Sequence, residues 1–436
     1  MKPIPLSKIV MHGELAMRAN LNFARLETAK YWPETIFEMD QHAWPADWEG
    51  RTMLALTMHA QITKREPAFL DEILELIPGR LNARGYFGPV NPDGVTHEQA
   101  MAGHSWMLRA LVEYYQWKRN TEPRQAAKAL AILQSIVTGL YLPQTENYRS
   151  YPVDEETRYE DPRWILSHKQ SKAKTHAGTS DCGCAFIALD GATAAYELLG
   201  DKRLPALIEA MIASYEKLPR EELHVQTHAT LSGIRGILRY YRITGVPRYL
   251  HLAVKTFALY KSRAWTDHYA NYNWFGLPRW TEPCAVVDSF LIAQELWEAT
   301  GEERYLQDAH HIFYNAIAHA ERVNGSFGTD ACVGTKADNP TRNHTITYAK
   351  ALTYEVFWCC NMRGGDGLSR AAQYTLYTEG NSVILPHYHS CKAELKLPGG
   401  VLQLREETRY PFGGQVVLHV QKNTAGRVTL KFFAPR

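Results

Sequence analysis

The feature that most constrains this chain is a motif that occurs three times. Tyr196-Glu197-Leu198-Leu199-Gly200-Asp201-Lys202-Arg203 is echoed by Tyr241-Arg242-Ile243-Thr244-Gly245-Val246-Pro247-Arg248 and again by Trp297-Glu298-Ala299-Thr300-Gly301-Glu302-Glu303-Arg304. Each copy sets an aromatic residue four positions before a glycine and an arginine three positions after it. Glycine readily takes the left-handed conformation that ends a helix, so every copy reads as helix, cap, tight turn and new helix. A degenerate copy without the glycine spans Tyr115 to Ala126. Intervals of 45 and 56 residues between the glycines suit one helical hairpin per repeat. Val286, Phe290, Ala293 and Trp297 supply the matching apolar face of one such helix. Stacked hairpins from about residue 50 to 320 build either an open solenoid or a closed toroid.

After about residue 380 the apolar period changes to two. Leu402 and Leu404, then Val416, Leu418 and Val420, then Val428, Leu430 and Phe432 alternate with polar residues, and Pro411, Gly413 and Gly414 mark a turn. These are expected to be strands of a half-buried antiparallel sheet. The expected organisation is a helical domain over residues 1–380 and a β portion over 381–436.

Charge and composition narrow the function classes. Lys and Arg number 48 against 46 Asp and Glu, a net charge of +2, which argues against a nucleic-acid partner. No run of 18 apolar residues is present, so no membrane partner is expected, and the first twenty residues lack the apolar stretch of a signal peptide. The expected location is cytoplasmic, in keeping with an odd count of 7 cysteines. Aromatic residues make up 11% of the chain, a surplus that fills cores or stacks on sugars.

Chemistry concentrates at Glu282-Pro283-Cys284 and at the adjacent pair Cys359-Cys360. Three thiolates and one carboxylate are a plausible tetrahedral zinc set. Adjacent cysteines reach one metal if the backbone turns sharply, and the glycines between Asn361 and Gly367 are expected to provide that turn. The competing reading is a buried inert cysteine pair with Glu282 capping a helix.

Together with the hairpin Val286 to Ala318, Tyr374 and Thr408-Arg409-Tyr410-Pro411, these motifs resemble glycoside hydrolase family 127, the β-L-arabinofuranosidase type. The likeness runs from about Trp48 to Arg436 and is strongest after residue 280. It implies an (α/α)6 barrel, a helical toroid, followed by a short C-terminal antiparallel β region that is incomplete relative to the family. It further implies zinc (Zn2+) held by Glu282, Cys284, Cys359 and Cys360, with Cys359 as nucleophile of a retaining mechanism and Cys360 as the alternative. The family places its acid/base glutamate shortly before the Glu-x-Cys motif. Here the stretch from His228 to Thr281 has no glutamate, and its one acidic residue, Asp267, becomes the candidate, with Glu355 as substitute. His104 and His228 occupy places of sugar-contacting histidines. A third such histidine is replaced in Ser180-Asp181-Cys182-Gly183-Cys184, where Asp181 is left to bond a hydroxyl and the two cysteines read as buried thiols. The aromatic loop Trp265 to Trp280, with Tyr272 and Trp274, reads either as packing over the barrel end or as a sugar-stacking rim.

The reading that results is a zinc-thiolate glycoside hydrolase acting on a small sugar or oligosaccharide such as an L-arabinofuranoside, with a homodimer among its assemblies. Two others stand beside it. One is a carbohydrate-binding or scaffold protein with a structural zinc; the other is a helical-toroid lyase or epimerase using Tyr and His as acid and base.

Overall fold

In the computed structural model, which describes residues 1–38, 44–154, 157–158, 161–165, 182–278, 281–330, 332 and 358–436, six helices close into a ring. They are α2 (Asp47–Thr63), α4 (Glu98–Lys118), α6 (Ala188–Leu199), α8 (Thr227–Thr244), α10 (Pro283–Thr300) and α12 (Trp358–Gln373). Each packs on the next, and α12 packs back on α2, which makes the repeat a closed toroid. Outside them lie α1 (Gly13–Leu26), α3 (Leu70–Leu76), α5 (Pro123–Ile136), α7 (Leu204–Lys217), α9 (Pro247–Arg263) and α11 (Glu303–His311). Burial follows this division. Every residue from Pro283 to Trp297 of α10 is buried, whereas α5 buries one stripe, Ala126, Ala129, Ile132, Leu133 and Ile136, at helical spacing.

The repeated glycines perform the predicted task. Gly200, Gly245 and Gly301 have φ of 63°, 70° and 72°, and their N–H groups bond back to the carbonyls of Tyr196, Tyr241 and Trp297. The degenerate copy turns between α4 and α5 without a left-handed residue, since Arg119 stays right-handed. Because each outer helix returns the chain, the inner helices run parallel and present their N-termini at one end of the ring.

The helical run Pro123–Arg149 is long and apolar enough, by composition, to cross a membrane. In the fold it is an outer element whose apolar stripe faces the barrel.

The expected C-terminal antiparallel β region is present, and it draws on the start of the chain as well. Strands β1 (Lys2–Pro3) and β2 (Ile9–Met11) join the C-terminal strands β3 (Tyr377–Glu379), β4 (Ser382–Leu385), β5 (Cys391–Leu397), β6 (Gly400–Thr408), β7 (Val416–Asn423) and β8 (Thr429–Phe432). The sheets have the orders β1-β3-β4-β8 and β2-β5-β6-β7. The division at residue 380 therefore falls inside the β3–β4 hairpin, and the first eleven residues supply strands to the β region. β8 also runs parallel to β4, so the region is not purely antiparallel. Period-two patterning identifies strands but carries no information on partners or direction.

Candidate metal centre and active site

The thiols meet where the inner helices begin. Glu282 is the N-cap of α10 and Cys284 lies in that helix's first turn. Cys359 and Cys360 occupy the first turn of α12. The sequence expectation of a sharp turn after the cysteine pair is corrected here, because residues 358–373 are one helix. Both sulfurs reach Cys284 from a helix N-terminus, with all three Sγ atoms within 4.8 Å of one another. The glycines serve packing instead. A Cβ on Gly364 would stand 2.2 Å from the Phe327 ring, and one on Gly365 2.9 Å from the Ala55 side chain.

A second group of donors overlaps the first. One atom each of His228, Glu282 and Cys284 also lie within 4.8 Å of one another. The five side chains therefore converge on Cys284. His228 sits in the first turn of α8 with Nδ1 3.5 Å from Glu282 Oε1 and Nε2 3.5 Å from Asp288 Oδ2. Its ring stacks on Trp106 at 5.7 Å. Burial, followed by the charges of Arg51, Arg363 and Arg235, holds it well below the usual histidine range. It is a neutral imidazole, the form that binds metal or accepts a hydrogen bond.

Arg51 completes the wall. Its guanidinium lies 4.0 Å from the Trp106 ring centroid, bonds Asp47 at 2.9 Å and points Nη1 at Cys284 Sγ across 3.7 Å. Cys359 is held well below the usual thiol range, because the Cys284 and Cys360 thiols donate to it and the Arg51 charge lies close. Cys284 and Cys360 move the opposite way. Helix N-termini favour anions, so two of them facing this cluster add to the same preference for a thiolate. Of the three cysteines, Cys284 and Cys360 are buried and Cys359 is only half-buried.

Beneath the thiols the ring axis is filled by ions. Arg109 bonds Asp190 and Asp366 at 3.1 and 3.2 Å, while Arg235 lies 3.2 Å from both Asp190 and Asp288. Arg363 bridges Asp288 and Asp366. All six side chains are at most 2% exposed. The network reaches the centre through the Asp288–His228 contact.

Other expected site residues separate into three groups. His104 is a structural histidine: Nε2 accepts the Phe87 N–H at 2.9 Å and Nδ1 donates to the Ala100 carbonyl at 2.7 Å. Both ring nitrogens are engaged and the side chain has no exposure. Trp274 is likewise core, 1% exposed and paired through its backbone with Gln226 and Leu277. The aromatic loop is thus mainly packing: Phe275 is buried, and Tyr269 stacks on His311 at 4.5 Å. Tyr272 stays half-buried at the rim, where its carbonyl accepts from Thr227 Oγ1 beside His228. Asp267 is exposed in a turn of the same loop. Asp181, Trp280 and Glu355 lie outside the described residues. Cys182 and Cys184 are buried thiols, as read.

Sequence reasoning missed Arg51, Trp106 and the axial ions. One signal was available: Asp288 sits in the otherwise apolar Ala285-Val286-Val287-Asp288-Ser289-Phe290-Leu291-Ile292, where a solvated face has no room. It also missed Asp330, whose N–H and C=O both bond Thr281, next to Glu282. Asp330 lies 3.5 Å from His319 Nε2, and the His319 ring abuts His268, the neighbour of Asp267.

Solved structures that align with nearly the whole chain include glycoside hydrolases. One described as a glycoside hydrolase aligns with 99% of this chain and 70% of its own at TM-score 0.68 and 14% identity. A family 127 β-arabinofuranosidase aligns with 100% of this chain and 71% of its own at TM-score 0.67 and 15% identity. A family 127 β-L-arabinofuranosidase from Geobacillus stearothermophilus T6 aligns with 94% and 72% at TM-score 0.63 and 11% identity. The chain has their fold. At these identities the likeness speaks for the fold, an (α/α)6 barrel with a C-terminal β region. No protein-family model matches the sequence. No curated protein matches it either.

Proposed function

We propose that this protein is a retaining glycoside hydrolase with a zinc-thiolate centre, releasing β-L-arabinofuranose or a related sugar from an oligosaccharide. The observation that carries the reading is the convergence of Cys284, Cys359 and Cys360 with Glu282 and His228 at the barrel mouth, in a fold shared with β-L-arabinofuranosidases. The donors fit zinc. Zn–S bonds of about 2.3 Å in a tetrahedron set sulfurs roughly 3.8 Å apart, and the three Sγ atoms lie within 4.8 Å of one another. Glu282 would supply the fourth ligand, with His228 beside it. When bound, zinc keeps the thiols deprotonated at neutral pH and fixes their positions.

Cys359 is the nucleophile, being the one cysteine of the cluster that is not buried. Its thiolate forms a C–S bond at the anomeric carbon as the bond to the leaving oxygen breaks, and that oxygen departs with the electron pair and takes a proton from an acid. Water then adds its oxygen to the anomeric carbon, the C–S bond returns its pair to sulfur, and the water proton passes to the same group as base. Two inversions give retention. Arg51 and the helix N-termini stabilise the sulfur each time it carries charge. Proton transfer falls to the rim, where Asp267 and Asp330 flank His268 and His319, with Asp267 as the acid/base.

The test is turnover of an aryl β-L-arabinofuranoside together with metal analysis. One zinc per chain is expected. Cys359→Ala should lower kcat by at least roughly a thousandfold, and a slow substrate should leave a glycosyl adduct on Cys359 detectable by mass spectrometry. Asp267→Asn should lose activity least on leaving groups that need no proton, and azide should restore it as the glycosyl azide. Equal turnover by Cys359→Ala rejects the nucleophile. Zinc without turnover of any glycoside favours the structural-zinc scaffold, a reading that the exposure of Asp267 supports.

A further inference from the structure

The aromatic loop between α9 and α10 is mainly packing, yet one polar residue within it reaches the backbone of the thiol centre. Asn271 has no exposed surface. Its own backbone is fixed from the α9 side. Trp265 and Asn271 form a β-bridge, and the Tyr272 N–H bonds the carbonyl of Ala264, the residue that ends α9, at 2.7 Å. The Asn271 carbonyl accepts from Cys332 Sγ at 3.7 Å. Its side chain is thereby held between two helix starts, the first turn of α8 and the N-cap of α10.

The amide of Asn271 engages both of its functions there. Oδ1 accepts the Glu282 backbone N–H at 2.9 Å. Nδ2 has two hydrogens and donates to Thr227 Oγ1 and to the Tyr272 carbonyl, each at 3.0 Å. Thr227 Oγ1 in turn donates to the same carbonyl at 2.7 Å, and the Thr227 N–H bonds the Asn273 carbonyl at 3.0 Å. Thr227 precedes His228, whose Nδ1 lies 3.5 Å from Glu282 Oε1. One buried side chain thus ties the chain beside His228 to the backbone of Glu282. The N–H of an N-cap residue has no partner within its own helix, so the angle at which Glu282 enters α10 depends on what accepts from it. Thr281, one residue earlier, is held by Asp330.

We propose that Asn271 is a positioning residue of the metal centre, its amide setting the direction in which the Glu282 carboxylate leaves the start of α10 towards an ion shared with the cysteines. The role rests on the zinc reading given above, and it does not require turnover. The test loads the metal-free full chain with zinc in competition with a chelator, and with Co2+ as a spectroscopic probe. The ligand-field and sulfur charge-transfer bands of bound Co2+ report the arrangement of its ligands, which a loss of stability alone does not move. Asn271→Leu removes both functions of the amide; it should weaken zinc about tenfold and shift the Co2+ bands. Asn271→Asp keeps Oδ1 for the Glu282 N–H and should bind zinc nearly as the parent does, with the parent's bands. Thr227→Val removes the hydroxyl that holds the amide and should shift the bands in the same direction as Asn271→Leu. Gly245→Ala, at the opposite end of α8, is the control for lost stability and should change neither measurement. Bands unmoved in Asn271→Leu and Thr227→Val, or Asn271→Asp as impaired as Asn271→Leu, overturn the role. A parent that takes up neither zinc nor Co2+ overturns the metal reading and this role together. Zinc bound with no glycoside turned over removes the catalytic reading alone, and band shifts in Asn271→Leu still establish the role.

Discussion

At the residue scale the centre and its support differ in how they show in sequence. Glu282, Cys284, Cys359 and Cys360 stand out because cysteine pairs beside Glu-Pro-Cys are rare and carry ligand chemistry in their atoms. The axial ions do not stand out, since arginine and aspartate are common and only tertiary placement tells a buried pair from a solvated one. His104 shows the same limit: a histidine opening a helix looks alike in sequence whether its ring nitrogens meet a sugar or, as here, the Phe87 N–H and the Ala100 carbonyl. The ions make a definite prediction. Asp288 faces Arg235 and Arg363 and accepts from Ser232 at 2.6 Å, with no exposure of its own. Asp288→Asn keeps the shape and removes the charge, leaving two guanidiniums under-compensated in a dry interior. A loss of about 3–5 kcal/mol in urea unfolding is expected. A loss below about 1 kcal/mol would mean that the neighbouring carboxylates share the load.

At the element scale two kinds of glycine do different work. Gly245 ends α8 at φ 70° with nothing within 4 Å of where a Cβ would stand. Its role is conformational, so Gly245→Ala should cost about 1 kcal/mol, the price of the left-handed region. Gly236, within α8, has an ordinary helical backbone, but a Cβ there would lie 2.5 Å from the Leu189 carbonyl carbon of α6. Gly50 of α2 meets the backbone of Met107 in α4 at 2.4 Å in the same way. These glycines set how closely neighbouring inner helices approach. Gly236→Ala should therefore cost at least about 3 kcal/mol, because backbone cannot give way as a side-chain tip can. Chemical denaturation of the two variants orders them, and the reverse order would contradict this account of the ring. The cap glycines were legible because the motif repeats at a fixed offset from an aromatic residue. The packing glycines were not, since nothing local distinguishes a helix interior that touches another backbone from one that does not. The strands β1 and β2 were missed on similar grounds, being two and three residues long and paired with strands more than 370 residues away.

At the scale of the whole molecule, burying ionisable groups in both the ring and the β region makes stability depend on pH from both sides. Burial lowers His59 and His389 to about 3 and His104 and His310 to about 4, from an ordinary 6.5. Below pH 6.5 the unfolded chain takes up these protons and the folded chain refuses them, so the unfolded state binds more protons and stability falls as the pH drops towards 4. Burial acts oppositely on two carboxyls, raising Glu406 to about 8 and Glu298 to about 7 from 4.5. Between pH 4.5 and 8 the folded state holds protons that the unfolded state has released, so this contribution is complete below pH 4.5 and is lost as the pH rises through 7 and 8. The opposing slopes give a maximum near pH 6.5, and because four histidines act on the acid side against two carboxyls on the alkaline side, the acid limb is the steeper. Thermal unfolding from pH 4 to 9 should trace that dome. Glu406→Gln should flatten its alkaline limb and raise stability at pH 8 by about 4 kcal/mol, while leaving the acid limb in place. A profile that climbs steadily to pH 9, or an alkaline limb indifferent to Glu406→Gln, would show that water reaches these carboxyls.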